Sequence, residues 1–216
     1  ELLTNYQNAS YAQRYRDLLG KIIAAEQNVQ SGKDGLAIMV ARNFAKLMSY
    51  KDEYEVGRLY SDPAFKESFA RTFEDGAKLR YNLAPPLISK RDPKSGELQK
   101  REFGPWVGKL FPLLARMKSL RGTAFDIFGY TEERRMERGL IANYEEQMEM
   151  VAASLTAANY RIAIELAGLP AQIRGFGHVK EANVEKVKLL EQQILEKYHN
   201  AKNSPADTDK KPEKAA

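Results

Sequence analysis

The residues that could bind an anion are concentrated in one central segment. Between Ala77 and Arg121 there are eleven Lys and Arg against three Asp and Glu, a net charge of +8, whereas the rest of the chain carries 23 against 26, a net of −3. Five cations bracket a turn in this segment: Lys90, Arg91, Lys94, Lys100 and Arg101. Such an arm can hold phosphates or an acidic protein surface. A soluble arm whose charges prevent strand-edge aggregation has the same composition, so both interpretations stay open.

Two further groups of charged residues are candidates for binding. Arg134 and Arg135 lie on a predicted helix that also carries glutamates, a mixture typical of a solvated or salt-bridged helix face. His178 and Lys180 lie at the start of another predicted helix, where His178 can donate to an anion or to a backbone carbonyl. The full set of candidate docking residues is Lys90, Arg91, Lys100, Arg101, Arg134, Arg135, His178 and Lys180.

The same sequence argues against chemistry within the chain. It contains no Cys, which excludes disulfides, thiolate nucleophiles and Cys-ligated iron–sulfur clusters in these residues. Only two His are present, and no phosphate-binding Gly-rich loop or Ser–His–Asp set is found. We therefore predict no catalytic residue, no metal site and no cofactor here. The absence of Cys and of a long apolar run or signal peptide fits a cytoplasmic protein without a membrane span.

The first part of the chain shows helical periodicity. One helix is predicted over 2–30 and a second over about 36–59, and the two should pair as an antiparallel hairpin. The second helix should bury its apolar face, which comprises Leu36, Val40, Phe44, Leu47 and Tyr54. Asp62 and Pro63 are typical of a helix start. An aromatic stripe then follows at four-residue spacing, which predicts core packing for Phe65, Phe69 and Phe73.

The helical period disappears in the basic arm, residues 78–106. A short strand is predicted around Leu79, Tyr81 and Leu83, and a hairpin or extended arm is predicted from 87–90 and 98–103 around a turn. A helix should resume at Pro105 and be kinked or split at Pro112. Its buried face is predicted to comprise Trp106, Leu110, Leu113, Leu114 and Met117. Apolar residues should then pin the loop 122–130 to the core through Phe125, Ile127 and Phe128.

Three helices complete the predicted fold. Thr131 should cap a helix that ends near Ser154, and Thr156 should cap a shorter helix that ends at Gly168. The last helix should span about 178–199. The fold class is therefore mainly α, a bundle of about seven helices with a small β-hairpin or extended arm. The predicted division is an N-terminal helical hairpin at 1–60, a helical domain at 61–199 that contains the basic arm, and a disordered tail at 200–216.

Five runs of residues resemble segments of one known family. The two most specific are Lys100-Arg101-Glu102-Phe103-Gly104-Pro105-Trp106 and Ile173-Arg174-Gly175-Phe176-Gly177-His178-Val179-Lys180. The others are Tyr50-Lys51-Asp52-Glu53-Tyr54-Glu55-Val56, Leu83-Ala84-Pro85-Pro86-Leu87 and Phe128-Gly129-Tyr130-Thr131-Glu132-Glu133-Arg134. In content and order they resemble the C-terminal region of the bacterial fused indolepyruvate:ferredoxin oxidoreductase family, and the resemblance covers roughly Tyr6 to Tyr198.

The resemblance implies a parent enzyme that decarboxylates an aryl or other 2-oxoacid, transfers the acyl group to coenzyme A and reduces ferredoxin. Thiamine diphosphate, magnesium and iron–sulfur clusters are then expected in domains upstream of this region. The family's thiamine and cluster motifs have no match here, so no catalytic residue is carried over. Because the chain opens at Glu1 without Met, we expect it to be a piece of a longer polypeptide. Whether 1–60 completes the preceding domain stays open.

The function expected from these observations is a non-catalytic domain with a structural or docking role. Its expected partners are the upstream catalytic domains of the same polypeptide, ferredoxin or coenzyme A, and further copies of the parent in a homo-oligomer. An alternative is a nucleic-acid-binding module, suggested by the pI of about 9.2 and by aromatic residues near the arm. It is weaker because the positive charge lies in one short segment without a recognised motif. A purely structural oligomerisation module is the third possibility.

Overall fold

The computed structural model is mainly helical and describes residues 1–73, 77–85, 89–90 and 99–202. Within them the α-helices are α1 (Leu2–Tyr6), α2 (Ala9–Val29), α3 (Gly35–Met48), α4 (Glu53–Ser61), α5 (Pro63–Thr72), α6 (Phe111–Arg116), α7 (Glu132–Ser154), α8 (Tyr160–Gly168) and α9 (Gly177–Lys202). Two short strands, β1 (Tyr81–Leu83) and β2 (Arg101–Phe103), pair antiparallel. Short 3-10 helices span Pro105–Lys109, Met117–Leu120 and Leu169–Gln172. The predicted mainly α class with a small hairpin is confirmed.

Backbone contacts divide the chain into two units. The first comprises Glu1–Ala12 and Met48–Gly139, and the second comprises Gln13–Leu47 and the residues from Leu140 onward. Neither unit follows the predicted division at residue 60. None of the described helices is long and apolar enough to cross a membrane.

Two predicted helices are each interrupted by a polar capping residue. The first breaks at Asn8, whose side-chain oxygen accepts a hydrogen bond from the N–H of Tyr11 (2.8 Å) at the start of α2. The second breaks before α4, where Asp52 accepts from the N–H of Glu55 (2.8 Å). Asn and Asp are favoured at this position because they satisfy an amide without a partner in the first turn. The apolar period continues across both breaks, which is why it predicted uninterrupted helices.

A buried ion pair fixes the start of α4 within the first unit. The Arg121 side chain is 3% exposed, and its Nε and Nη2 donate to the two carboxylate oxygens of Asp52 at 2.5 and 2.8 Å. Its Nη1 donates to the backbone carbonyl of Tyr6 (2.6 Å), whose ring lies 3.7 Å from the guanidinium carbon. Burial alone would lower the pKa of Arg121, but the hydrogen bonds and charge of Asp52 outweigh it and raise the pKa.

The loop 122–130 is fixed mainly by a buried carboxylate. Asp126 accepts hydrogen bonds from the hydroxyl of Tyr54 (3.0 Å) and from the N–H groups of Gly122 (2.8 Å) and Gly129 (3.0 Å). Phe128 is buried as predicted, whereas Phe125 and Ile127 are exposed. The prediction that all three apolar residues pin the loop was therefore wrong for two of them, since the polar contacts of Asp126 supply the attachment.

The aromatic stripe on α5 is not a core face. Asp62 caps this helix and Pro63 occupies its first turn, as predicted. No residue of α5 is buried, however, and Phe73 is 53% exposed. Phe65 contacts the ring of Tyr60, with the centroids 5.2 Å apart, so one end of the stripe packs on α4. The prediction of core packing for the whole stripe was wrong, because no described element covers the helix.

In the second unit, α3 runs antiparallel to the part of α2 that follows Ala12. The hydroxyl of Tyr15 donates to the carbonyl of Ala41 (3.1 Å), and its ring stacks on Phe44 with centroids 5.8 Å apart. Near the connecting turn, Glu26 contacts the start of α3. The predicted helical hairpin is confirmed for these residues, and so is the burial of Leu36, Val40, Phe44 and Leu47.

Glu26 is a buried carboxylate that caps another helix. Its side chain accepts hydrogen bonds from the N–H groups of Leu36 (2.8 Å) and Ala37 (2.9 Å) in the first turn of α3. The hydroxyl of Tyr160 donates to the same carboxylate (2.6 Å). A negative charge is favourable at a helix N-terminus, where several amides have no partner within the helix. One side chain therefore joins α2, α3 and α8.

The C-terminal helices follow the sequence with small shifts. Helix α7 begins after Thr131 and ends at Ser154, as predicted. The hydroxyl of Thr156 accepts from the N–H of Asn159 (3.3 Å), so it caps a turn and α8 begins only at Tyr160. Helix α9 extends to Lys202, three residues beyond the predicted end. The tail predicted to be disordered lies, from residue 203, outside the described residues.

Raising the pH above 10 should destabilise the second unit through Tyr160. Burial and the hydrogen bond to Glu26 raise the pKa of Tyr160 to about 12, whereas an unfolded tyrosine titrates near about 10. A raised folded pKa contributes stability that is present below about pH 10 and lost as the pH rises toward 12. Urea unfolding measures how much the free energy of unfolding falls between about pH 9 and about pH 11.5. This fall should be smaller for Tyr160→Phe than for the unchanged protein. Equal losses in the two proteins would contradict this assignment.

Candidate docking surface

A small aromatic core in the first unit holds the β-hairpin against helices. It consists of the buried residues Tyr81, Val107 and Phe111 and the partly buried Val56, Tyr60, Leu79, Leu83, Phe103 and Leu114. The rings of Tyr60, Tyr81 and Phe111 lie pairwise 5.0 to 5.3 Å apart. We call this set the hairpin core. It fixes both strands, the 3-10 turn after β2, α4 and α6 relative to one another.

The described strand pair involves the first predicted strand. Tyr81 lies opposite Phe103 and Leu83 opposite Arg101, so β2 pairs with the strand predicted around Leu79–Leu83. Residues 87 and 88 of the predicted hairpin lie outside the described residues. Farther along, the N–H of Gln99 donates to the carbonyl of Lys90 (2.8 Å). The burial of Tyr81 in the hairpin core gives β1 a packing partner. The turn predicted at 92–96 lies outside the described residues.

The hairpin presents cations that no described carboxylate neutralises. Lys90, Lys100 and Arg101 are exposed, and none of them has an ion-pair partner in the part of the chain that the structure describes. The one glutamate of β2, Glu102, is bound by Arg80 of the neighbouring segment. Arg91, the remaining arm residue of the predicted docking set, lies outside the described residues. The structure therefore leaves three of the predicted docking cations exposed at the hairpin.

An apolar stripe lies directly after these cations. Trp106, Leu110 and Leu113 are 60%, 47% and 58% exposed, and we call them the ridge. The prediction that this face is buried was wrong for these three residues, whereas Leu114, which it also named, packs against the hairpin core and Met117 is half-buried. A second apolar set has the same four-and-three spacing but begins one residue later: Val107, Phe111 and Leu114. These are the residues that fill the hairpin core. Periodicity alone cannot distinguish two adjacent apolar stripes, whereas packing against Tyr60 and Tyr81 selects the second.

Trp106 is exposed but held in place. Its ring lies edge-on to that of Phe103, with centroids 6.3 Å apart. A Cβ added at Gly104 would lie 3.3 Å from Cδ1 of the indole, so the ring lies close to the backbone there. The indole therefore contacts a residue of the hairpin core and lies next to the backbone of Gly104. As predicted, the helical segment is split near Pro112, into the turn Pro105–Lys109 and α6.

Helices α4 and α6 approach so closely that position 57 has no space for a side chain. A Cβ added at Gly57 would lie 2.7 Å from Cβ of Leu114 and 3.0 Å from the carbonyl oxygen of Phe111. Gly57→Ala should therefore lower the free energy of unfolding by about 1–3 kcal/mol through overpacking. At Gly139, in α7, an added Cβ meets nothing within 4 Å, so Gly139→Ala should stabilise by about 0.5–1 kcal/mol. Urea unfolding of both variants checks this pair, and a neutral Gly57→Ala would contradict it.

The predicted docking residues on α7 have different environments. Arg134 is buried, and its Nη2 lies 3.3 and 3.4 Å from the carboxylate oxygens of Glu53. Burial raises the pKa of Glu53 despite this contact. Arg134 is therefore a structural ion-pair partner and not an available docking residue, which corrects the prediction for this residue. It fits the alternative interpretation of the sequence, a salt-bridged helix face. Arg135 is exposed.

The remaining two candidates belong to the second unit. His178 is exposed in the first turn of α9, and Lys180 is half-buried. Lys46 donates to the carbonyls of Pro170 (2.7 Å) and Ile173 (3.0 Å) just before this helix. Burial, and then the charges of Lys180 and Arg174, lower the pKa of Lys46. The start of α9 is thus positively charged.

A cavity in the second unit is too small for the predicted ligands. It measures about 40 Å³, and its lining combines apolar residues, among them Leu47, Leu169, Ile173 and Val184, with the polar Asn143, Gln147, Lys188 and Glu191. That volume holds a few water molecules at most, whereas small-molecule sites measure about 300–1,000 Å³. We therefore base no binding site on it.

Comparison with known proteins places the chain in a family. Residues 1–193 match DUF6537, a family of unknown function, and the chain belongs to it. Nothing among curated proteins or solved structures matches the chain. The function therefore has to be argued from the residues themselves.

Proposed function

We propose that this member of the DUF6537 family is a non-catalytic domain of a cytoplasmic 2-oxoacid:ferredoxin oxidoreductase, the enzyme class that its sequence resembles. Thiamine diphosphate, magnesium and iron–sulfur clusters belong to other domains of that polypeptide, which decarboxylate the 2-oxoacid, form the acyl-coenzyme A and reduce ferredoxin. This chain braces those domains within a homo-oligomeric parent. It also docks an anionic partner, either ferredoxin or the phosphates of coenzyme A.

One observation carries the docking role. Lys100 and Arg101 are exposed and have no described carboxylate partner, and they lie on or beside a strand that the hairpin core holds. Because the hairpin core fixes this strand, binding would require little further ordering of its backbone, which favours affinity. Clustered cations also steer an acidic partner toward the surface. The lack of Cys in all 216 residues fits a role without cluster ligation.

The reading frame that encodes the chain tests the assignment to this enzyme class. We expect thiamine-binding and Cys-rich segments in the same frame, and ferredoxin reduction by its product with an aryl 2-oxoacid and coenzyme A. The 216-residue chain by itself should decarboxylate no 2-oxoacid. A gene that encodes only these residues, or decarboxylation by the isolated chain, would show the assignment to be wrong.

Nucleic-acid binding is a second candidate, and the exposure of Trp106 near Lys100 and Arg101 favours it. Aromatic rings and cations together can hold single strands by stacking and phosphate contact. Gel-shift titration with a single-stranded oligonucleotide tests this candidate. Binding that weakens steeply with salt and requires Trp106 would support it over ferredoxin docking.

A further inference from the structure

We infer that the ridge of Trp106, Leu110 and Leu113 is the apolar centre of an interface for an acidic protein, with Lys100, Arg101, Lys109 and Arg116 as its cationic edge. The inference rests on the proposed function and selects ferredoxin from the two anionic partners named there. The surface itself follows from the described residues of the first unit alone.

The exposure of the ridge distinguishes it from ordinary surface residues. Its three members are large, and each directly precedes a member of the hairpin core, Val107, Phe111 or Leu114, so all three lie at the edge of that core. Single exposed apolar side chains are common, but several large ones grouped together mark an interaction site. The hairpin core already occupies the neighbouring stripe through Val107 and Phe111. The ridge therefore has apolar area left over after the unit has folded.

The ridge also has the properties of a binding hot spot. Trp and Arg are enriched among the residues that dominate binding energies. The ring of Trp106 contacts that of Phe103 and lies next to the backbone of Gly104. These contacts restrict its orientations, which reduces the entropic cost of binding.

The surrounding charge selects an acidic partner. From Phe103 to Arg121 the sequence has no Asp or Glu, and the preceding Glu102 is bound by Arg80. Lys109 and Arg116 are exposed on the same turns as the ridge, and Lys100 and Arg101 precede them on the hairpin. A complementary surface therefore has an apolar centre and an acidic rim.

Other occupants fit this combination less well. A second copy related by a two-fold axis would bring the same cations together. A nucleic acid or coenzyme A would satisfy the cations but leave Leu110 and Leu113 without an apolar partner. A membrane surface generally binds helices with a much larger apolar face than the six residues of α6 provide. These occupants are separate outcomes of the experiment below.

Trp106 is the only tryptophan of the chain, so its fluorescence reports directly on the ridge. The probe is a synthetic peptide with leucines on one helical face and glutamates elsewhere. We expect saturable binding to the 216-residue protein with a shift of Trp106 emission to shorter wavelength, because the indole leaves water. Added salt should weaken the binding, since the rim contacts are exposed ion pairs.

Matched variants separate the contribution of the apolar ridge to peptide binding from that of the cations. Leu110→Ser/Leu113→Ser and Lys100→Glu/Arg101→Glu should each raise the dissociation constant by about tenfold or more. Two controls on α9 alter exposed residues of the same types: Leu189→Ser/Leu190→Ser and Lys186→Glu/Lys197→Glu. They should change it by less than about twofold. Circular dichroism checks folding, and Leu113→Ser alone replaces the double variant if that one is unfolded.

Five results would overturn the inference. Three concern the peptide: an emission spectrum that it leaves unchanged, equal losses in the control variants, and polyglutamate that binds as tightly as the amphipathic peptide. The fourth is stronger ridge-dependent binding of single-stranded DNA or phosphatidylserine vesicles. The fifth is self-association that the ridge variant abolishes, which would identify a second copy as the occupant. Because the titration involves no redox step, its outcome is independent of the reading-frame test of the proposed function.

Discussion

Replacing Arg121 by Met should lower the free energy of unfolding by about 3–5 kcal/mol, because it leaves the buried carboxylate of Asp52 without its partner. Arg121 and Asp52 have side chains only 3% exposed, so water cannot replace the lost contact. The substitution also removes the donor to the carbonyl of Tyr6 and the cation over its ring. Urea unfolding measures the loss.

A second substitution distinguishes an uncompensated charge from lost packing. In the Arg121→Met background, Asp52→Asn removes the buried charge but keeps a side chain that can cap α4. It should recover about 1–3 kcal/mol. The control Arg116→Met changes an exposed arginine of the same segment and should stay within about 0.5 kcal/mol of the unchanged protein. If Arg121→Met were as mild as the control, the ion pair would not fix α4.

Replacing Glu26 by Leu should lower the free energy of unfolding by about 3–5 kcal/mol in the second unit, because each buried donor left unsatisfied costs about 1–3 kcal/mol. Three donors lose their acceptor: the N–H groups of Leu36 and Ala37 and the hydroxyl of Tyr160. Glu26 itself is only 1% exposed, which limits replacement by water. Chemical unfolding followed by circular dichroism measures the effect.

Two matched variants interpret that result. Glu26→Gln keeps one acceptor oxygen but turns an amide group toward an N–H donor, so its effect should be intermediate. Glu165→Leu changes an exposed glutamate of α8 in the same unit and should be close to neutral. A neutral Glu26→Leu would mean that the carboxylate does not hold α3 and α8 together.

Local signals predicted much of the secondary structure. Asp62 with Pro63, and Thr131 with the acidic first turn of α7, mark helix starts that the structure places at the same residues. The alternation around Tyr81 likewise predicted β1. Such signals depend on neighbours in sequence, which is why they could be recognised. The caps at Asn8 and Asp52 were overlooked because apolar residues recur at helical spacing across them.

Tertiary packing decided what local signals could not. The segment from Trp106 to Leu114 contains two apolar stripes with the same spacing, and only the position of Tyr60 and Tyr81 shows which one is buried. In the same way, the aromatic spacing on α5 indicates a stripe but not whether another element covers it. Burial depends on contacts distant in sequence, so the sequence alone predicted burial correctly for Leu114 but wrongly for Trp106, Leu110, Leu113 and most of the α5 stripe.

The sequence predicted the cations of the candidate site but not the apolar ridge at its centre. The excess of Lys and Arg predicted Lys90, Lys100 and Arg101 as docking residues, and the structure leaves them exposed. The charge pattern of the sequence could not distinguish these residues from Arg134, which forms a buried ion pair with Glu53. The ridge was missed because large apolar residues at helical spacing normally indicate a core.

The kinetics of the full-length enzyme test the central claim most directly. Lys100→Glu/Arg101→Glu and Trp106→Ala should each raise the Michaelis constant for ferredoxin by about tenfold. The turnover number and the Michaelis constants for the 2-oxoacid and coenzyme A should not change, and Lys186→Glu/Lys197→Glu should behave as the unchanged enzyme. An unchanged Michaelis constant for ferredoxin at low ionic strength would contradict the account.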